Sequence, residues 1–132
     1  MSQFTDNHGC FVCGERNPSG LKLRFSTAPE THETESSVIF PETLQGWEGI
    51  VHGGLITTVL DEMLVQAAAA QGYKCITAEI SVKFKKPVAI GRPYRIVGKV
   101  GRVRGRIVIA ESGLFSLEGE AVAEAHGKLL RV

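Results

Sequence analysis

The chain has 132 residues, of which 43% are hydrophobic and 22% are charged, and its formal net charge is +1. This length and composition predict one globular domain over residues 1–132 and exclude the biased composition of a disordered or fibrous chain. The most apolar stretch, residues 51–71, contains Asp61, Glu62 and Gln66, which makes it a poor membrane span.

The charge is distributed unevenly along the chain. Residues 1–73 contain 3 Lys and Arg against 9 Asp and Glu, a balance of −6, and residues 74–132 contain 12 against 5, a balance of +7. A basic C-terminal half favours an anionic ligand, and because we find no nucleic-acid-binding motif we expect no nucleic acid partner. The first residues lack the pattern of a secretion signal and the 3 cysteines are an odd number, so we expect a cytoplasmic protein.

The beginning of the chain is predicted to form an irregular arm followed by a β-hairpin. Residues 1–19 are polar and rich in Gly, Asn, Pro and Cys, which favours irregular structure. Apolar and polar residues alternate over 21–25, which predicts the first strand, and residues 35–40 are predicted to form the second. The turn of this hairpin is predicted at residues 28–32.

One long helix is predicted over residues 54–71, because the segment has no interior Gly or Pro and Gly72 ends it. Apolar side chains cover most of its faces, which indicates burial on several sides. The pattern then changes to a period of two, and Ile76, Ala78 and Ile80 are predicted to share the apolar face of the next strand. The four strands after the helix are predicted at 76–85, 94–103, 107–117 and 121–130. This order predicts an α+β fold with a curved antiparallel sheet wrapped around the helix.

His52, Gly53 and Gly54 lie at the predicted start of the helix. Two glycines let the backbone approach a ligand closely, and the free N–H groups of the first helical turn can stabilise a developing oxyanion. The alternative is a tight entry turn into the helix with no further role.

Asp61 and Glu62 lie two turns into this helix, and no Lys or Arg occurs between Val51 and Tyr73. A carboxylate in such a setting is costly unless another group satisfies it, so catalytic use is one explanation and a solvent-exposed polar stripe is the other. Asp61 is seven residues after Gly54, close to two helical turns. Its side chain is therefore expected on the same face of the helix as the His52-Gly53-Gly54 turn. Glu62 is rotated about 100° away and is expected to meet solvent or a partner subunit.

Basic side chains are predicted near two turns, where they could bind phosphates or lie in solvent on strand faces. They are Lys83, Lys85 and Lys86 at one strand end, and Arg102, Arg104 and Arg106 around a hairpin.

Cys10 and Cys13 have the spacing of zinc ligands, with His8 close by in the sequence. A second ligand pair is missing, because Cys75 is alone on a predicted strand, so we expect no metal site. A metal-binding module is the alternative.

These residues carry a resemblance to a known family. The segment Val51-His52-Gly53-Gly54, with Asp61 after six further residues and a strand ending in Lys83-Phe84-Lys85-Lys86-Pro87, resembles the hotdog-fold thioesterases of the phenylacetate-pathway (PaaI) type. Cys10-Phe11-Val12-Cys13-Gly14 and Asn17-Pro18-Ser19-Gly20-Leu21 resemble the N-terminal segment of a subset of that group. The resemblance extends from Cys10 to the last strand.

The resemblance implies hydrolysis of an acyl- or aryl-CoA thioester to the free acid and CoA, without a metal or cofactor. It implies that Asp61 is the general base or the nucleophile and that the Gly53 N–H polarises the thioester carbonyl. His52 would orient the loop or the carbonyl, and Thr77 would position the attacking water. The site would lie between two subunits of a homodimer or homotetramer.

The resemblance also implies substrate-binding residues. Gly54 in the turn at the helix start and Glu62 beside Asp61 are expected to contact the substrate. The basic residues near the two turns would bind the CoA phosphates; they are Lys85, Lys86, Arg102, Arg104 and Arg106. Some hotdog thioesterases use Glu as the acid, which makes Glu62 the competing catalytic carboxylate. A non-catalytic acyl-CoA-binding hotdog protein is the alternative function. Leu44, Trp47 and Met63 are candidates for the acyl pocket.

Overall fold

The computed structural model describes residues 3–132 as one antiparallel sheet packed on one helix. The elements are β1 Ser26–Thr27, β2 Thr34–Ile39, a short 3₁₀ helix Glu42–Leu44, α1 Gly53–Ala70, β3 Cys75–Phe84, β4 Pro93–Arg104, β5 Ile107–Ser116 and β6 Ala121–Arg131. The strand order across the sheet is β1-β2-β4-β5-β6-β3, and every neighbouring pair is antiparallel. The α+β architecture predicted from the sequence, a hotdog fold, is therefore confirmed.

One stripe of α1 forms the centre of the core. Its buried residues recur every three or four positions and are Ile56, Val59, Leu60, Met63, Leu64, Ala67 and Ala68. This stripe packs against strands β2 to β6, and each fully buried large apolar side chain contributes about 1.5–3 kcal/mol. The prediction of burial on several sides is only partly right, because the remaining faces of the helix are half-buried or exposed in the single chain.

The helix lies directly on the sheet because two glycines leave room for it. A Cβ atom at Gly98 would lie 2.4 Å from Met63 Cγ, and one at Gly127 would lie 2.4 Å from Leu64 Cδ1. A Cβ atom at either position would therefore require the side chain of Met63 or of Leu64 to move.

The strand predicted over residues 21–25 is wrong. Residues 3–25 contain no helix or strand, and the first strand, β1, begins only at Ser26. Lys22 has a φ of 54°, which interrupts the extended backbone, and the N–H groups of Leu21 and Leu23 donate to the carbonyls of Phe11 and Val12. The irregular arm, predicted over 1–19 and with residues 1 and 2 outside the described part, thus reaches residue 25.

A β-bulge near the start of β3 changes which side chains face the helix. Thr77 pairs with Leu129 and Glu79 pairs with Lys128, so Ala78 is an extra residue in the ladder. Ala78 is exposed, whereas Thr77 contacts the helix. The predicted apolar face of Ile76 and Ala78 is therefore wrong on the N-terminal side of the bulge, because the bulge reverses the alternation.

Strand β3 is the long free edge of the sheet. It pairs with β6 on one side, and the opposite end of the sheet is the two-residue strand β1. Within residues 3–132, no helix has both the length and the apolarity needed to cross a membrane.

Candidate active site

His52 caps the N-terminus of α1. Its Nδ1 atom accepts a hydrogen bond of 2.9 Å from the Gly54 N–H, so this ring nitrogen carries no proton. A Cβ atom at Gly54 would lie 3.2 Å from His52 Nδ1 and 3.3 Å from Cε1, closer than ordinary contact allows. Gly54 therefore leaves the space in which the imidazole sits.

Gly53 presents the free donor of this turn. Because His52 accepts from Gly54 and the N–H groups of Leu55 and Ile56 donate to the His52 carbonyl, those three donors are occupied. The Gly53 N–H donates no hydrogen bond to any residue from 3 to 132. It lies at the positive end of the helix dipole, where a developing negative charge is stabilised.

A cavity of about 340 Å³ adjoins Gly53. Its lining is mostly apolar and includes two lysines; the residues are Ile50, Val51, Gly53, Ile56, Phe84, Lys85, Lys86, Pro87 and Val88. Phe84 forms the wall beside the donor, since its ring atoms would lie 3.5 Å from a Cβ on Gly53, and 54% of the residue is exposed. Phe84 was not predicted as a site residue, since its only local signal is its position at the end of a strand.

Asp61 is half-buried and is held by a residue from the edge strand. The Thr77 hydroxyl donates a hydrogen bond of 2.6 Å to Asp61 Oδ1, joining the third turn of α1 to the start of β3. Among the described residues, Asp61 takes part in no salt bridge. Its second carboxylate oxygen accepts no hydrogen bond from these residues, so it can bind a water molecule.

The Glu62 carboxylate contacts a different set of residues from the Asp61 carboxylate. Its Oε1 lies 3.6 Å from Cys10 Sγ, and its Oε2 accepts a hydrogen bond of 2.8 Å from Gln66 Nε2. Glu62 is half-buried, so the expectation that it meets solvent is partly right, but its carboxylate also contacts the N-terminal arm of its own chain, and a contact with a partner subunit stays a prediction. Burial, together with this neighbouring carboxylate, raises the pKa of the Cys13 thiol.

The predicted basic residues fall into two separate groups. Lys85 and Lys86 donate backbone hydrogen bonds to Val122 at the start of β6, whereas Arg106 accepts one from Arg131 at its end. Nine residues of extended strand separate these points, or about 30 Å. In one chain the lysines and the hairpin arginines, Arg102, Arg104 and Arg106, therefore cannot bind the same phosphate.

The two lysines already have acidic partners. Lys85 Nζ lies 2.9 Å from Glu124 Oε1, and Lys86 Nζ lies 2.6 Å from Glu120 Oε2. The hydrogen bond from Lys85 lowers the pKa of Glu124. All four side chains are substantially exposed, and exposed pairs of this kind exchange partners at little cost.

The candidates for the acyl pocket are not grouped by the fold. Met63 is fully buried under the sheet and Leu44 packs on the core, whereas Trp47 is 85% exposed. Met63 therefore belongs to the core and not to an open pocket.

The comparison with protein families decides the broad identity. The model of the thioesterase superfamily matches residues 48–123, more than half of the chain. The chain belongs to the thioesterase superfamily. The matched region runs from just before the His52 cap to strand β6 and so contains Gly53, Asp61 and Thr77.

Curated relatives of this superfamily member are distant and longer. The chain is 33% identical over 78 residues to an uncharacterized protein of Schizosaccharomyces pombe, covering 58% of this chain and 45% of that protein. It is 28% identical over 75 residues to acyl-coenzyme A thioesterase THEM4 of Mus musculus, covering 57% of this chain and 32% of that protein. The match thus spans from about a third to about a half of the length of these relatives.

Solved structures share the fold. A protein of the thioesterase superfamily aligns with a TM-score of 0.88 at 24% identity, over 93% of this chain and 60% of its own. The Escherichia coli PaaI protein from the phenylacetic acid degradation operon aligns with a TM-score of 0.76 at 15% identity, over 85% and 80%. A hypothetical thioesterase protein from Streptococcus pneumoniae, solved with coenzyme A, aligns with a TM-score of 0.76 at 14% identity, over 83% and 85%. That protein has also been solved with an aspartate and with a threonine, sixteen residues apart, replaced by alanine.

Proposed function

We propose that this protein hydrolyses acyl-CoA thioesters and that Asp61 is its catalytic carboxylate. The observation that carries this proposal is the hydrogen bond of 2.6 Å from Thr77 to Asp61. It fixes one oxygen of an ionisable group on a largely apolar helix and leaves the other oxygen available to water. A positioned carboxylate of this kind can act as a general base.

The site is completed by a second subunit. Gly53 and Asp61 are eight residues apart on one helix, which corresponds to about 12 Å along the axis. A reacting carbonyl must lie roughly 3 Å from both the oxyanion donor and the activated nucleophile, so one chain does not bring both groups to it. Asp61 faces β3, and the free edge of β3 is where another chain can add to the sheet. Asp61 of one subunit therefore acts with Gly53 of the other in a homodimer or a higher assembly of dimers.

The proposed reaction begins with a water molecule on the free oxygen of Asp61. Asp61 takes a proton from this water as the water oxygen attacks the thioester carbonyl carbon, and the electrons of the C=O bond move to the carbonyl oxygen. The Gly53 N–H and the helix dipole stabilise the resulting oxyanion. The tetrahedral intermediate then collapses and the C–S bond breaks. The CoA thiolate leaves and takes up the proton that Asp61 accepted from water, which restores the base. His52 acts indirectly, because its Nδ1 atom accepts the hydrogen bond of the Gly54 N–H and so holds the shape of the turn.

Two similarities support this assignment. The spacing from Asp61 to Thr77 is sixteen residues, the same as that between the aspartate and the threonine replaced in the Streptococcus pneumoniae thioesterase. That protein has been solved with coenzyme A, and THEM4 is an acyl-coenzyme A thioesterase. The cavity beside Gly53, with Lys85 and Lys86 in its lining, offers apolar contacts and positive charge to such a substrate.

A panel of acyl- and aryl-CoA thioesters tests the proposal. Hydrolysis should be followed by loss of the thioester absorbance or by chromatography of the acid, because the half-buried thiols of Cys10 and Cys13 would compete for thiol reagents. We expect turnover that depends on enzyme concentration and is lost in Asp61→Asn. Tight binding of acyl-CoA without release of CoA would show instead that the chain is an acyl-CoA-binding protein.

A further inference from the structure

The N-terminal arm contributes to a cluster of side chains that the proposed reaction does not use. Two thiol sulfur atoms, from Cys10 and Cys13, and a carboxylate oxygen of Glu62 lie within 4.8 Å of one another. From residue 3 to residue 132 no other group of three such side chains comes as close. All three are half-buried. The two cysteines come from a tight turn of the arm, and the carboxylate comes from α1.

We propose that Cys10, Cys13 and Glu62 bind one zinc ion, with a water molecule in the fourth tetrahedral position. Zinc lies about 2.3 Å from thiolate sulfur and about 2.0 Å from carboxylate oxygen, so a tetrahedral site separates sulfur from oxygen by about 3.5 Å. The distance from Cys10 Sγ to Glu62 Oε1 is 3.6 Å. The helix, far away in the chain, thus supplies one of the two ligands that the sequence lacked, and the water molecule takes the place of the other.

Gln66 holds the carboxylate in the orientation that this site needs. Its Nε2 atom donates at 2.8 Å to Glu62 Oε2, whereas Oε1 is the oxygen that contacts Cys10, and it lies 3.7 Å from Cys13 Sγ. Carboxylates that bind metals are commonly fixed in this way by a hydrogen bond to the oxygen that does not bind the metal. Gln66 is one helical turn after Glu62, so both side chains face the arm.

The turn that carries the cysteines is shaped by its own backbone. The Val12 N–H donates to Cys10 Sγ at 3.4 Å, which holds this sulfur atom in place within the turn. Gly14 closes the turn with a hydrogen bond of 2.9 Å to the Cys10 carbonyl. A Cβ atom at Gly14 would lie 2.3 Å from Cys10 N and 2.6 Å from its carbonyl oxygen, so only glycine permits this closure.

The Asn17-Pro18-Ser19-Gly20-Leu21 segment braces the same turn. Asn17 Nδ2 donates to the Gly9 carbonyl at 3.1 Å, next to Cys10. A Cβ atom at Gly20 would lie 2.8 Å from the carbonyl oxygen of Phe11, inside the cysteine turn. Both N-terminal motifs therefore build one structure, whose effect is to hold the two thiols against α1.

An open groove of about 840 Å³ gives the ion a route to the cluster, since Cys10, Cys13 and Gln66 all line it. Binding replaces two thiol protons, which pass to water, and leaves a site of two thiolates, one carboxylate and one Zn²⁺. The ion would pin the arm to the helical turn that bears Glu62 and its neighbour Asp61. This role is structural and does not depend on the proposed hydrolysis.

The test is the metal content of the full chain, made without a polyhistidine tag and purified under reducing conditions without chelators. Elemental analysis should find one zinc per chain. Replacement of zinc by cobalt should give the charge-transfer absorption of cobalt thiolate and the visible bands of a tetrahedral site. We expect Cys10→Ser, Cys13→Ser and Glu62→Gln to lose most of the zinc. Cys75→Ala is the matched control, because this thiol lines the same groove but lies outside the cluster, and it should retain the zinc.

The wild-type measurement decides the matter even if a variant fails to fold. Wild-type protein that is equilibrated with zinc, freed of excess metal and found to contain none would overturn the proposal. So would a cobalt derivative without thiolate charge transfer, or equal loss of zinc in Cys75→Ala and Cys13→Ser. A Cys10–Cys13 disulfide in protein purified under reducing conditions would show that the pair has a redox role instead.

Discussion

Thr77 Oγ1 lies 2.6 Å from Asp61 Oδ1, and this contact exists because β3 bulges at Ala78. Without the extra residue, the alternation that places Ile80 toward the helix would turn Thr77 away from it. The bulge thus brings a hydroxyl to the carboxylate at the free edge of the sheet. Bulges next to reactive groups often have this effect of redirecting one side chain.

Asp61→Asn keeps the size of the side chain and removes the base. We expect kcat to fall roughly a hundredfold or more, the usual contribution of a positioned general base. Glu62→Gln should cost much less, because Glu62 contacts Cys10 and Gln66 and not the site. Steady-state kinetics of both variants, with circular dichroism to verify folding, makes the comparison. An active Asp61→Asn variant together with an inactive Glu62→Gln variant would show that Glu62, and not Asp61, is the catalytic carboxylate.

Thr77→Val removes the hydroxyl and keeps the shape of a β-branched residue. Since Asp61 loses its positioning hydrogen bond, we expect kcat to fall on the order of tenfold while KM changes little. Thr77→Ser retains the donor and should restore most of the rate. If Thr77→Val and Thr77→Ser lower kcat equally, the Thr77 hydroxyl does not position Asp61 and only packing at the bulge matters.

Gly53→Pro deletes the proposed oxyanion donor with little effect on the helix. Proline is favoured at the first helical position, and His52 before it already has extended angles, φ −61° and ψ 132°. We expect kcat to fall about a hundredfold, the cost of losing one such donor. Unchanged thermal stability together with unchanged kcat would show that the Gly53 N–H takes no part.

A mixture of Asp61→Asn and Gly53→Pro chains tests the shared site. If Asp61 of one subunit works with Gly53 of the other, half of the randomly assembled dimers are mixed and each has one intact site. Co-refolding the two inactive variants should then restore roughly a quarter of wild-type activity. Light scattering should show a dimer or a larger assembly. A monomeric active enzyme, or no recovery on mixing, would contradict the shared site.

Lys85→Ala and Lys86→Ala should raise KM for CoA thioesters and leave kcat nearly unchanged, as expected for uniform binding. The effect should weaken as ionic strength rises, because exposed charges are screened. Equivalent changes in the arginine hairpin should have smaller effects, since that turn is about 30 Å from the lysines along β6. A larger effect from the arginines, Arg102, Arg104 and Arg106, would mean that a partner subunit brings the hairpin to the substrate.

Removal of zinc should lower the melting temperature. Because the ion binds only the folded arrangement of Cys10, Cys13 and Glu62, it stabilises that state by mass action. A strong chelator should lower Tm by on the order of 5 °C or more, and added zinc should reverse the change. Cys10→Ser should be insensitive to the chelator, whereas Cys75→Ala should respond like the wild type.

Much of the site could be predicted from local sequence. The helix is predicted to begin at Gly54, one residue after its actual start at Gly53, and its end follows from Gly72, because these signals act over a few residues, whereas the cap by His52 was not predicted. The helix and the strands after it are predicted to within a few residues, and with them the α+β architecture, whereas the hotdog fold was implied by the family resemblance. The choice of Asp61 over Glu62 as the candidate base also used local geometry, since neighbours on a helix point about 100° apart.

The tertiary structure decided what depends on contacts between distant segments. The alternation over 21–25 resembles a strand, but Lys22 adopts a positive φ and the neighbouring N–H groups bond to the cysteine turn. The bulge at Ala78 is invisible in a period-two pattern, because it depends on register with β6. Glu62 meets Cys10 across 52 positions of sequence, so a third zinc ligand could not be recognised from spacing. Local signals specify where elements begin and end, and only packing determines which side chains meet between them.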